Sequence, residues 1–442
     1  MNHEAKTRRL VEELRSGSGT ALGLGKDSSN LFRDRQATPR RKLDVRAFDK
    51  VLEVNAAQGW VEAEGMTPYV KLVDATLPHG LMPAVVPQLK SITLGGAAAG
   101  VGIEASSFKY GLVHESLLAL EILLPDGRVV DATADNDYRD LFHGFANSYG
   151  TLGYVLKLRA KAMPVKPYVN LTHTRYTDAA AYFHALAERC ADTADFIDGV
   201  AFGPQELIVT EGRFVEQAPY TSDYSFERIY YQSLRKRSED YLTVRDFIWR
   251  WDTDWFWCSK NVGAQNPLIR RVLGRKRLNS VFYTRLMRLN SRWGLTRALD
   301  RLRGLHTESV IQDVDIPVAN APAFLDFLLR EIGILPVWLC PVRARQREAR
   351  FPLYPMDADL YVNFGFWDVV RRRERFAPGH HNRLVERKVA ELGGIKSLYS
   401  ESYYDPETFW QNYGGQAYEA LKRKYDPQGA LKDLYQKCVL KA

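Results

Sequence analysis

Cysteine is scarce in this chain: Cys190, Cys258, Cys340 and Cys438 lie far apart and form no CxxC pair. That spacing excludes a zinc knuckle and a disulfide framework. Histidines are equally scattered, so no metal site is expected. The one adjacent pair, His380-His381, sits among arginines, a proline and a glycine and reads as a surface loop. No apolar run reaches the length that spans a bilayer. Residues 1–15 are charged, with Leu10, Val11 and Leu14 on one side of an amphipathic helix, where a secretory signal needs an uninterrupted apolar stretch. Internal repeats and low-complexity tracts are also missing. The expectation is a cytoplasmic protein, with peripheral membrane contact as an option taken up below.

What is present is an ordinary globular composition, 45% hydrophobic and 26% charged, in 442 residues. That length exceeds what one hydrophobic core usually serves, so two domains are expected. The net charge of +8 is local. Between residues 269 and 303 there are eleven Lys/Arg against Asp300 alone, which is +10 in that segment and leaves −2 for the rest. A local charge asks for a local partner.

Residues 16–30 form a Gly/Ser-rich loop after the first helix. Strand-like runs follow at 43–56 and 59–65, then a helix near 68–77. Leu118, Leu120, Ile122 and Leu124 alternate with period 2 ahead of Pro125-Asp126-Gly127. Proline presets φ and glycine accepts positive φ there, so the spacing predicts a hairpin. The loop 148–153 leads into the strand YVLKLRAKAM. Beyond residues 164–167 strands (GVAFG, ELIVTEG, PVWLCPV, DLYVNFGF) mix with helices (AAAYFHALAERCA, APAFLDFLLREIG), and a last helix at 416–424 ends at Tyr425-Asp426-Pro427. The fold class is α+β. The expected division is a first domain at 1–165, a second at 166–400 with a basic insertion at 246–303, and a C-terminal segment at 401–442 that returns to the first.

The segment 93–111, TLGGAAAGVGIEASSFKYG, holds five glycines and four alanines. Such small side chains let backbone N–H groups approach a phosphate or a planar ring, although tight packing between elements has the same signature. Gly100-Val101-Gly102-Ile103-Glu104-Ala105 fits the GxGxxA dinucleotide fingerprint, with Glu121 about twenty residues on. The context contradicts that match, because no hydrophobic strand precedes it and Gly111 interrupts the helix it requires. Three small-residue loops, near 23–30, 93–111 and 148–153, suit an extended cofactor gripped by several loops.

That combination resembles the FAD-binding domain of the vanillyl-alcohol oxidase/p-cresol methylhydroxylase flavoproteins: a pyrophosphate loop, a TxGG small-residue stretch ending in YG, a PDG hairpin and a SYGTLG-like loop. It is most similar to the Δ24-sterol reductase branch, through Thr93-Leu94-Gly95-Gly96, Gly102-Ile103-Glu104, Lys109-Tyr110-Gly111, Pro336-Val337-Trp338-Leu339-Cys340-Pro341 and Phe409-Trp410. The resemblance implies FAD contacts from Lys26, Ser28, Ser29, Asn30, Thr93, Leu94, Gly95, Gly96, Ala99, Gly100, Gly102, Ile103, Ser106, Ser107, Tyr110, Gly111, Gly150, Thr151 and Gly153. The loop 25–30 contains no histidine, so non-covalent FAD is expected; His114 is a remote alternative for a flavin link.

The resemblance also implies reduction of a carbon–carbon double bond in a lipid, a sterol or a methylene-bearing fatty acyl chain, with NADPH as electron donor. Such a reaction needs a positioned acid. Glu104, Lys109, Tyr110, Cys340 and Tyr403, with Tyr404, are the candidates, each also readable as core or wall. An alcohol or sugar oxidase or dehydrogenase on the same fold is the second reading, and a basic membrane- or nucleic-acid-binding module the non-enzyme one.

In residues 246–303, Phe247, Trp249, Trp251, Trp255, Phe256 and Trp257 precede the basic stretch. Leu278, Phe282, Leu286, Leu289 and Trp293 fall on one helical face. Basic helices with Trp dock on anionic bilayers; packing on their own domain is the alternative. A leucine stripe offers no stacking platform, so no nucleic-acid partner is expected. Oligomeric state is not legible.

Overall fold

The computed structural model describes residues 1–442 except 18–21, 27–31, 33–40, 294–299, 301, 346–349 and 442, and only the backbone of 288–293. Ser28, Ser29 and Asn30 lie outside the described residues. So do Arg297 and Arg301 and the side chains of Leu289 and Trp293.

The helix His3–Ser16 opens the chain, its N-cap Asn2 accepting from the Ala5 N–H. A two-stranded parallel ribbon follows, β1 (Leu22–Gly25) with β2 (Arg41–Asp44). The first sheet is built from β3 (Val51–Asn55), β4 (Trp60–Glu64), β5 (Leu81–Pro83), β6 (Leu117–Leu123), β7 (Val129–Ala132) and β8 (Tyr154–Pro164). Its order is β3-β4-β8-β6-β7, with β5 also on β8. The predicted hairpin is β6–β7. Gly127 at φ +84° makes its turn, and its N–H donates to the Leu124 carbonyl at 3.0 Å. Register shifts in β6 bury Leu117 and leave Leu118 partly exposed, so the period-2 expectation fails at that end.

A second sheet begins directly after residue 167. It contains β9 (Tyr168–Tyr176), β10 (Phe196–Gly203), β11 (Glu206–Val215), β12 (Glu239–Thr243), β13 (His306–Pro317), β14 (Val337–Val342), β15 (Tyr361–Arg372) and β16 (Ile395–Lys396). The order is β12-β9-β11-β10-β14-β15-β13-β16. Helices Ala179–Arg189 and Ala321–Phe327 pack on it through Tyr182, Phe183, Leu186, Phe324 and Leu325. Every strand pair in the two large sheets is antiparallel. A parallel nucleotide-binding crossover is therefore not what surrounds Gly100-Val101-Gly102.

One apolar core runs from Val61 and Leu158 of the first sheet to Phe196, Trp251 and Trp338 beside the second. The C-terminal helix Gly415–Tyr425 lies on the first unit. Tyr425 donates to Asp140 at 2.6 Å and Lys422 to the Thr151 carbonyl at 2.9 Å.

Two expectations are corrected. His380-His381 is not a surface loop. It starts the helix His380–Glu391, where Glu308 accepts from the N–H groups of His381 and Asn382 at 3.1 and 3.0 Å. A carboxylate supplied by β13 caps that helix, a partner too distant in sequence to be seen locally. The aromatic run 247–257 is not an interfacial belt either: Phe247, Trp249, Trp251, Trp255, Phe256 and Trp257 are all buried. No helix among the described residues is long and apolar enough to cross a membrane.

Candidate functional site

Between the two sheets lies a cavity of about 570 Å³. Its first side is made by the small-residue loops. Residues 94–99 form a short helix capped by the Thr93 hydroxyl, which accepts from Gly96 N–H at 3.2 Å. Gly95 donates to Gly65 O at 2.9 Å, and a Cβ on Gly95 would stand 2.6 Å from that oxygen. Only glycine allows this contact between helix and strand end. The loop 147–150 then clasps the helix, with Tyr149 N–H on Ala99 O at 2.8 Å. Asn147 and Tyr149 hold left-handed backbone, φ +58° and +50°, an arrangement the surrounding hydrogen bonds must over-determine.

Of the residues expected to hold a cofactor, Lys26, Thr93, Gly95, Gly96, Ala99, Gly100, Gly102, Ile103, Gly150 and Gly153 line this cavity. Leu94 points into the core instead, Ser106 donates to Ala84 O, and Ser107 accepts from the Glu104 N–H. Tyr110, Gly111 and Thr151 are likewise outside the lining. The lining also takes in Lys42 on β2, Tyr149, and Lys432 and Lys437 of the C-terminal segment, which sequence reasoning missed. The Tyr425-Asp426-Pro427 signal pointed to that segment but not to its lysines.

The second side is aromatic and comes from the second sheet and the 246–303 insertion: Trp255, Phe256, Trp338 and Trp367. Trp255 and Phe256 also hold left-handed backbone, φ +45° and +59°. Phe256 packs on Trp338 at 5.4 Å and Trp367 at 4.5 Å between ring centroids. Two acids, Asp313 on β13 and Asp368 on β15, complete this wall.

The acids and nucleophiles singled out in the sequence lie behind or away from the cavity. Glu104 is sequestered with Arg250, 3.3 Å away, which also bonds Asp198 at 2.8 Å. Burial pushes the Glu104 carboxyl up to about 8, opposed by Arg250 and reinforced by Asp198. Cys340 is fully buried, its thiol donating to Glu104 O at 3.2 Å, and burial drives it far above the usual thiol range. Lys109 pairs with Asp195 at 3.1 Å beside Tyr110. Tyr403 lies over Arg383 and Tyr404 packs with Phe409 and Tyr413. His114 meets Phe351 edge-to-face at 4.5 Å between ring centroids, and no histidine is among the described residues lining the cavity.

The cavity fits an extended, negatively charged cofactor. In the lining segment 101–103 the N–H groups of Val101, Gly102 and Ile103 make no hydrogen bond among the described residues. Consecutive unused donors are what a diphosphate or a ring carbonyl requires. Lys26, Lys42 and Lys432 add positive charge on the same side.

Residues 2–133 match the protein-family model described as FAD binding domain. The N-terminal unit is therefore an FAD-binding domain of the p-cresol methylhydroxylase type, and the chain an FAD-dependent oxidoreductase. Over most of its length it is also similar to proteins named Delta(24)-sterol reductase. It is 27% identical to that of Arabidopsis thaliana over 434 residues, covering 90% of this chain and 76% of the relative. It is 25% identical to that of Homo sapiens over 458 residues, 98% and 86% of the two chains. Cytokinin dehydrogenase 7 of Oryza sativa subsp. japonica is 27% identical over 166 residues, only 36% of this chain and 32% of that one.

Proposed function

We propose that this protein reduces a carbon–carbon double bond of a lipid, a sterol or a methylene-bearing fatty acyl chain, with NADPH as electron donor. The observation that carries the reading is the two-sided cavity, with FAD-domain loops on one side and a wall of Trp255, Phe256, Trp338 and Trp367 on the other. An aromatic wall suits an apolar chain bearing an isolated double bond and keeps water from the reacting atoms. The likeness of the chain to proteins named Delta(24)-sterol reductase supports the same substrate class.

In this reading residues 1–165 and 401–442 hold FAD and residues 166–400 cover the substrate. The N–H groups of Val101, Gly102 and Ile103 receive oxygens of the cofactor, and Lys26, Lys42 and Lys432 offset its phosphates. No covalent link is needed. FAD, when bound, supplies the hydride.

Access to a lipid follows from the basic insertion, though through another face than the tryptophans. Helix Pro267–Leu273 exposes Leu268 and Val272, 71% and 82%, at i and i+4. The exposed Lys276 and Arg277 lie just beyond it and have no ion pair among the described residues. Apolar side chains ringed by cations suit peripheral docking on an anionic bilayer.

Anaerobic mixing tests the enzyme reading. NADPH is expected to bleach the flavin absorbance, and 24-dehydrocholesterol or a methylene-branched fatty acyl ester to restore it. Bleaching by an alcohol or sugar, with none by NADPH, would replace this reading with the oxidase one.

A further inference from the structure

The geometry points to Asp313 as the acid that protonates the substrate double bond; this rests on the reductase reading above. On β13 the alternate residues Ser309, Ile311 and Asp313 face the cavity, as strand periodicity requires. Asp313 is thus one of two carboxyls that the second sheet presents beside the aromatic wall, and the other, Asp368, is held by Lys260. Its Oδ1 is sequestered from solvent and has no hydrogen-bond partner among the described residues. An unpartnered carboxyl oxygen at this depth is costly in a purely structural role.

The fold makes room for it. Gly365 lies opposite Asp313 on β15, and a Cβ there would meet Asp313 Oδ1 at 2.8 Å and the Trp367 ring at 2.5 Å. Tyr399, which also lines the cavity, is held in place by the Trp367 indole N–H at 2.8 Å. The charged and titratable groups around Asp313 are few. Asp315 is on the same strand, bonded to Tyr354 and Asn363, and Asp368 is already paired with Lys260 at 2.7 Å. Lys432 and Lys437 lie on the cavity's other side. No cation forms an ion pair with Asp313 among the described residues. Burial pushes its carboxyl up to about 7, opposed by Tyr399 and Trp367 and reinforced by Asp315. A neutral acid near the operating pH is the form suited to general-acid transfer.

The proton leaves Asp313 for one alkene carbon while hydride arrives at the other. The π bond breaks and two C–H bonds form, and the carboxylate regains its proton from water. None of Glu104, Lys109, Cys340 or Tyr403 lines the cavity to do this.

The test compares the FAD-loaded wild type with Asp313→Asn and Asp313→Glu. With [13C]aspartate labelling, the wild type is expected to show a carboxyl titrating near pH 7 that is missing from Asp313→Asn. Asp313→Asn should retain FAD and be bleached by NADPH at the wild-type rate, yet reduce 24-dehydrocholesterol at least about a hundredfold more slowly. Asp313→Glu, which keeps an acid, should recover part of that loss. If Asp313→Asn turns over like the wild type, or no such carboxyl titrates, the donor assignment is overturned and the reductase reading stands. If the wild type itself is bleached by alcohols and not by NADPH, the reductase reading fails and takes the donor with it.

Discussion

Arg250→Met removes the cation from a sealed network and tests what Glu104 is for. The Arg250 side chain is 1% exposed and stacks 3.9 Å from the Phe247 ring centroid, so Met preserves much of the packing. Two carboxylates lose their partner, but not equally. Asp198 sits at 2.8 Å and keeps only the indole N–H groups of Trp251 and Trp338, at 3.3 and 3.2 Å. Glu104 is at 3.3 Å and, with burial raising its carboxyl to about 8, is mostly protonated at neutral pH. The uncompensated buried charge is therefore Asp198. Breaking a buried pair costs about 3–5 kcal/mol, and retention of two indole donors favours the lower end, about 3 kcal/mol. Urea unfolding of the FAD-loaded protein, followed by tryptophan fluorescence, measures it. A double-mutant cycle should find strong coupling of Arg250 to Asp198 and less than about 1 kcal/mol to Glu104. A loss under about 1 kcal/mol for Arg250→Met, or stronger coupling to Glu104, would refute the reasoning.

Two further outcomes are expected. Burial lowers the His3 imidazole, but hydrogen bonds to Glu121 and Glu64 outweigh it and raise the group to about 9. Its contribution to stability is full below its ordinary value near 6.5 and is lost as pH rises through about 9. Thermal midpoints of wild type and His3→Gln should therefore differ most at acidic to neutral pH and converge in alkali; a constant gap contradicts this linkage. For membrane docking, Leu268→Asp with Val272→Asp should weaken flotation with phosphatidylserine vesicles by at least about tenfold. Flotation equal to wild type in that variant and in Lys276→Glu/Arg277→Glu removes the docking face.

Local signals carried far in this chain where the constraint itself is local. The helix 3–16, the Pro125-Asp126-Gly127 hairpin and the strand 154–164 follow from period and turn chemistry. The small-residue run 93–111 marked the FAD side because a backbone that must approach a ligand or a strand end tolerates no Cβ. Leu118 and His381 were misread because a register shift and a cap from a distant strand decide their exposure.

The sequence by itself determined the α+β class, the small-residue loops and the confinement of positive charge to one insertion. All of these follow from short-range steric and periodic rules. Tertiary structure alone decided which polar groups face the cavity. Glu104 and Cys340 look as reactive in a string of letters as Asp313 does, yet Glu104 is closed in with Arg250 and Cys340 is buried on β14, while β13 turns Asp313 toward the cavity. The tryptophans beside the basic stretch were turned inward for the same reason. Long-range pairing, and not a residue's type, sets whether a side chain meets water, core or ligand.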